Sequence, residues 1–305
     1  MNIRSIIGIF LSCNKKMWAD IKQLSKGQKS NYNLLQLSHR LEKGLLITPP
    51  NVKPLWGWDK AYRIVELLRT NEDNFSSMTA KAVLNAFLLA KNNSKFEEDR
   101  QKYQEFIEKT HYVPEEINKM GGIMKLEKPV FALDELATIE KLFNTRHSCR
   151  EFAEKPISKD VIAHAVEMAL RCPSACNRQP FKVYVITPSS LEEKLGHKLQ
   201  YKSDKVLIIA GDVRAFTSGE MLDWLISPTI FASYLTLSLH SLGIGSCIIR
   251  KDLIRTKKYN DAIIGITEMD ACERIILEMF IGYYKDEFIV PISNRAGVED
   301  IIQYY

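Results

Sequence analysis

The sequence lacks any apolar run long enough to span a bilayer. Its one N-terminal candidate, Ile6 to Ser12, stops well short of a membrane-crossing helix and stands behind a single Arg4. Asn14-Lys15-Lys16 follows with no small-residue cleavage site, which makes a poor signal peptide. Phe10-Leu11-Ser12-Cys13 bears only a faint likeness to a lipoprotein acylation site, and a helix packed on the globule or resting at a membrane surface is the simpler expectation. Paired cysteine spacings are also missing: the six cysteines stand at 13, 149, 172, 176, 247 and 272. A disulfide framework is therefore not expected, and reduced thiols point to the cytoplasm. Cys172 and Cys176 are one helical turn apart, but Pro173 breaks the helix and no matching His or Cys pair follows, so no metal site is expected. Charge of one sign is scarce too. The 42 Lys+Arg and 37 Asp+Glu leave a net +5 spread without a basic stripe, which argues against nucleic acid as a partner. Internal repeats and low-complexity tracts are absent. The chain does have 305 residues, 46% of them hydrophobic, enough for one large or two moderate soluble domains.

Two regions follow from the patterning. Residues 1–130 read as an all-helical extension, with apolar positions at helical spacing over 31–45, 58–70, 76–91 and 95–109. Gly44 suits a helix C-cap before the irregular Pro49–Pro54 connection, and the cationic face around His39 and Arg40 is either solvated or turned to an anion. Gly121-Gly122 and Pro129 mark a boundary. From 131 to 305 helices alternate with strands: helices over 134–144, 158–171, 189–198 and 220–242, strands over 181–187, 205–212, 245–250 and 274–284. Ser158 is placed to cap one helix, and Pro188-Ser189 to open another with Glu192 as capping-box partner. A mixed α/β or α+β sheet layer follows.

The residues that carry chemistry lie in two short segments. In Arg146-His-Ser-Cys-Arg150, the alternating Arg146, Ser148 and Arg150 share one side of an extended chain, where forked guanidinium donors and a hydroxyl match the oxygens of a phosphate. A solvated Arg-Ser-Arg face is the bland alternative. In Pro173-Ser-Ala-Cys-Asn-Arg-Gln-Pro-Phe181, Ser174, Asn177 and Gln179 carry donors and acceptors suited to the edge of a flat heterocycle, with Pro173 and Pro180 fixing the backbone. An ordinary polar helix-to-strand connection is the alternative there.

These segments, together with Leu242-Gly-Ile-Gly-Ser-Cys247 and Ile281-Gly-Tyr283 followed by Asn294-Arg295, appear in an order that resembles the nitroreductase family of FMN-dependent oxidoreductases over about 140–305. The resemblance implies an α+β fold, a mixed and mainly antiparallel sheet flanked by helices, preceded here by the helical extension. It implies that Arg146, His147, Ser148 and Arg150 surround the FMN phosphate and ribityl chain and that Arg295 closes on the phosphate. Pro173, Ser174, Ala175, Asn177 and Gln179 would meet the isoalloxazine, from the partner subunit of a homodimer that shares its flavin sites. Gly243 and Gly245 would allow a tight passage to backbone N–H groups near Ile249 and Arg250 beside the flavin. NADH or NADPH would be the reductant and an unidentified small molecule the acceptor, in a ping-pong cycle that assigns no side chain as catalytic. Arg250-Lys251 departs from the small residues common in relatives, which would narrow the substrate pocket or favour an anionic substrate. The terminal 298–305 segment would add an edge strand to the partner's sheet. The helical leader, with His39–Gly44, resembles nitroreductase-like proteins associated with bacterial surface polysaccharide synthesis. Other expectations are a flavin-modifying relative of the same fold, a non-catalytic flavin-binding interaction protein, and a flavin-free binder of phosphate ligands.

Overall fold

The computed structural model describes residues 29–46, 53–115, 120–217, 220, 222–249 and 257–305. The apolar run at 6–12, most of the Pro49–Pro54 connection, and Arg250-Lys251 lie outside them. Four helices come first: α1 (Ser30–Leu45), α2 (Trp58–Leu68), α3 (Phe75–Asn92) and α4 (Glu97–Thr110). Asn74 starts α3 by accepting from the Ser76 and Ser77 amides while its own N–H donates to Ser77 Oγ, a reciprocal cap. Leu34 and Leu41 of α1 close on Trp58, Ile64, Val83, Phe87 and Phe106, and Trp58 meets Phe87 edge-on at 5.3 Å. An ion pair lies in this core: Lys91 Nζ sits 2.9 Å from Asp99, which also accepts from Leu55 N and Ser94 Oγ. Gly44 does not cap α1. The helix runs on to Leu45, and Gly44 is where the Trp56 ring packs, since a Cβ there would stand 1.8 Å from the ring. The 120–122 segment lies along α3, and Gly122 N donates to Glu42.

The second region is α5 (Leu133–Thr145), α6 (Lys159–Ala169), β1 (Phe181–Ile186), α7 (Pro188–Leu195), β2 (Lys205–Asp212), α8 (Asp223–Ser241), β3 (Ile244–Ile249), α9 (Lys257–Thr267) and β4 (Glu273–Tyr283). The strands form one antiparallel sheet in the order β1-β2-β4-β3. The fold is therefore α+β, an antiparallel sheet flanked by helices with further helices at its N-terminal side. Nearly every β2 residue is buried, because alternate side chains feed two different cores. Leu207 and Ile209 join Met279 and Ile281 under α6 and α8, while Val206 and Ile208 join Phe280 under α7 and α9. Among the described residues, no helix is long and apolar enough to cross a membrane.

Besides Gly44, one sequence expectation needs correction, that for Glu192, and one helix lies outside the expected elements. Helix α9 was not anticipated. Glu192 forms no capping box at the start of α7; it accepts from Leu199 N and pairs with Lys198 beyond the helix's other end. The 298–305 segment is a short 3-10 turn and an exposed tail in the single chain. Neither α5 nor the tail is covered: Leu133, Leu136 and Phe143, then Ile289, Ile292, Ile301 and Tyr304, are all exposed.

Candidate functional site

The 146–152 segment is held against the free edge of β3. Ser148 forms a parallel bridge with Ser246, and Cys149 N donates to Ser246 O at 2.9 Å. Cys149 is fully buried, and burial raises its thiol pKa, so strand alternation turns Ser148 and Arg150 outward. Two glycines make this approach possible. A Cβ on Gly245 would stand 2.7 Å from Cys149 Cβ and 2.9 Å from Tyr284, and one on Gly282 would stand 2.5 Å from Phe152 Cβ. Arg146 follows the last turn of α5, and His147, like Ser148, is half-buried. Among the described residues neither Arg146 nor Arg150 pairs with a carboxylate; Arg150 Nη1 donates to Ser148 O at 3.3 Å. Arg150 borders an open cavity of about 860 Å³ whose rim also carries Lys155, Lys202 and Lys285 among Glu151, Glu154 and Asp204. Arg295 is exposed on the C-terminal segment and donates to Ser293 O. Ile249 ends β3 opposite Glu278 of β4. Arg250 falls outside the described residues.

His240 ties the start of this segment to the end of β4. Thr145 Oγ1 donates to Lys141 O, which leaves it to accept from His240 Nε2 at 2.9 Å; His240 Nδ1 lies 2.9 Å from the Tyr284 hydroxyl. Burial, then the charges of Arg146 and His147, lower the His240 pKa. Burial, then Cys149, pushes Tyr284 up to about 12. A neutral imidazole accepting from a protonated tyrosine fits both shifts.

The 173–180 segment enters β1, at the opposite edge of the sheet. Ala175–Asn177 form a 3-10 turn in which Cys176 and Asn177, with Gln179 beyond it, have positive φ of 50°, 50° and 47°. Each such conformation costs a residue other than glycine about 1–3 kcal/mol. Two bonds within the loop and one from α8 partly offset this: Gln179 N donates to Ser174 Oγ at 3.2 Å, Gln179 Nε2 to Asn177 Oδ1 at 3.2 Å, and Ala175 N to Ser227 Oγ at 3.4 Å. Pro173 and Asn177 are exposed, whereas Ser174, Ala175 and Gln179 are half-buried.

The residue that sequence reasoning passed over is Arg178, whose side chain is 0% exposed. Its Nε donates to Ala175 O at 3.0 Å, Nη1 to Ala215 O at 2.8 Å, and Nη1 and Nη2 to the two oxygens of Glu220 at 3.0 and 2.6 Å. Its guanidinium lies 4.4 Å from the centre of the Phe216 ring. The Arg178 hydrogen bond is the chief reason that the Glu220 pKa is lowered to about 2. Only its place between Asn177 and Gln179 could have drawn attention to it.

A single chain does not bring the two segments together. The sheet order puts four strand spacings between β1 and Ser148, about 19 Å at ~4.8 Å each. The two segments line separate cavities; the second, about 370 Å³, is bordered by Tyr32, Leu35, Gln179, Lys182 and Arg214.

The nitroreductase family model matches residues 144–215, a stretch holding both segments. No curated protein matches the chain. Among solved structures, a Bacillus subtilis protein provisionally named a nitroreductase is 19% identical, with 56% of this chain and 100% of that one covered and a TM-score of 0.48. A nitroreductase family protein from Streptococcus pneumoniae is 22% identical, covering 55% and 100% with a TM-score of 0.44. An FMN-dependent nitroreductase from Clostridium difficile is 18% identical, covering 54% and 98% with a TM-score of 0.44.

Proposed function

We propose that the protein is a nitroreductase-family oxidoreductase that binds FMN between two copies of the chain. The observation that carries this reading is the set of guanidinium groups at Arg146 and Arg150, outside any carboxylate pair among the described residues and pinned to the sheet edge by the Ser148–Ser246 bridge. It lies within the stretch matched by the family model. The donor set fits the cofactor: two forks and a hydroxyl suit a phosphate, and the amides of Asn177 and Gln179 suit a heterocycle's polar edge. When bound, FMN supplies hydride acceptance from NADH or NADPH and electron delivery to a small-molecule acceptor, in alternating half-reactions.

The chain's own residues bind and orient. Arg146, Ser148 and Arg150 neutralise and aim the phosphate end, with Arg295 adding a further cation. The 173–179 loop offers its outward amides to the ring, and the ~19 Å of sheet between the two segments of one chain supports a site that takes this loop from the other copy. The uncovered apolar faces of α5 and the tail support the same homodimer, since large exposed apolar patches mark association surfaces. The helical leader directs the activity, in this reading, to a dedicated substrate in surface polysaccharide synthesis in the cytoplasm. An absorbance spectrum of the purified protein, reconstituted with FMN where needed, tests the proposal. The expected result is flavin bands that bleach on anaerobic addition of NADH or NADPH. Bands that do not bleach would favour a binding role, and failure to retain flavin would overturn the proposal.

A further inference from the structure

The loop assigned above to the flavin ring holds three left-handed residues, none of them glycine, within four positions, so something outside it must impose its shape. Arg178 sits between those residues with its side chain turned inward. It reaches its own turn at Ala175 O, the strand-exit turn at Ala215 O, and the Glu220 carboxylate ahead of α8. Phe216, on which the guanidinium stacks, belongs to a small buried cluster with Val213 and Ala215, and Tyr32 of α1 packs against that cluster. The Tyr32 hydroxyl donates to Asp212 Oδ2 at 3.2 Å, and Lys29 N donates to Arg214 O at 3.0 Å. Asp212 N in turn donates to Pro180 O at 2.8 Å, at the loop's end. Helix α1 also runs close beside the 175–177 turn, and Ala175 packs against the same small cluster as Tyr32. The helical unit and the loop thus share one continuous set of contacts.

We propose that Arg178 is a positioning residue for the flavin-facing loop and that α1 of the helical extension forms the loop's back wall. This inference rests on the proposed function. It gives the extension a role within the site: shaping the loop before the cofactor arrives, so that Asn177 and Gln179 present their amides without reorganisation. Ionised Glu220 is needed because a neutral partner would hold the guanidinium less firmly.

The test uses the full-length protein and the variants Glu220→Gln, Arg178→Lys and Tyr32→Phe. The readouts are amide exchange over 174–180 without flavin, and the FMN dissociation constant. The expected result is at least tenfold faster exchange over 174–180 in Glu220→Gln and Arg178→Lys, unchanged exchange in β2 and β4, and at least fivefold weaker FMN binding. Tyr32→Phe, which removes a single hydroxyl, shifts both readouts in the same direction by two- to threefold and keeps the test open should Arg178→Lys fail to fold. Wild-type exchange over 174–180, faster exchange throughout the sheet, or faster loop exchange with unchanged FMN affinity would overturn the proposal. Wild-type protein that binds no FMN would remove the functional reading and this inference together, whereas unaltered variants of a flavin-binding wild type would remove this inference alone.

Discussion

Substituting Gly282 by alanine tests how the 146–152 segment is held. The added methyl would lie 2.5, 2.6 and 2.8 Å from Phe152 Cβ, Cγ and Cδ1. Phe152 is 7% exposed and its Cβ is fixed to the main chain, so a rotamer change does not relieve the contact. Ordinary carbon–carbon contact lies near 3.5–4.0 Å, and the 152–153 backbone must retreat by about 1 Å to restore it. The Ala153 N to Tyr283 O hydrogen bond, now 2.9 Å, would then be stretched beyond useful length. Overpacking costs about 1–3 kcal/mol and the lost bond ~1 kcal/mol, offset by ~0.5 kcal/mol of backbone entropy gained over glycine. A net loss of about 1.5–3.5 kcal/mol lowers Tm by roughly 3–14 °C for a unit of this size. Ser148 and Arg150 move with the segment, so FMN affinity falls by about tenfold or more. Thermal melts and flavin titrations measure both effects. Gly265→Ala, in open space on α9, serves as the control and should gain up to ~1 kcal/mol. Phe152→Ala should cost less in the Gly282→Ala background than in the wild type. Gly282→Ala protein that melts within 1 °C of wild type, with unchanged FMN affinity, would refute the reasoning.

Lys91→Met strands Asp99 in the helical core and should cost about 3–5 kcal/mol in urea unfolding, with Lys91→Met/Asp99→Asn recovering part of it, since the amide oxygen still accepts from Leu55 N and no charge is left unpaired. His240 has a lowered pKa in the folded state, so the unfolded chain binds its proton more tightly and stability must fall as pH drops through about 6.5. Melting curves between pH 5 and 8 should show this slope, and His240→Asn should flatten it. Leu136→Glu adds a charge to an exposed face, which should change a monomer's stability by no more than about 0.5 kcal/mol but shift a dimer to monomer in light scattering.

Most element positions were legible because amphipathic spacing and caps are local: Ser158 starts α6 by accepting from Val161 N, as its position suggests. What escaped was set by distant partners. Gly44 reads as a helix stop until Trp56 is placed on it, and Glu192 reads as a cap until Leu199 and Lys198 compete for it. Helix α9 carries Gly265 and a modest apolar face, and its burial depends on a sheet completed by later residues. Arg178 reads as a solvated loop charge, since nothing nearby in sequence foretells a carboxylate 42 residues away. The left-handed turn at 176–179 contains no glycine to announce it.

The seam between α1 and the strand exit has a consequence for biosynthesis. Tyr32 and Asp212 are 180 residues apart, so at about 5–20 residues per second the ribosome takes roughly 9–36 s to deliver the second after the first. The four-helix unit can close its own core around Leu34 and Phe87 in that time. Its outer surface at Tyr32 and Leu35 must wait for β2. A nascent chain paused before residue 212 would therefore carry a folded first unit with an unmet docking face, and the 173–180 loop would acquire its shape late, when that face is covered.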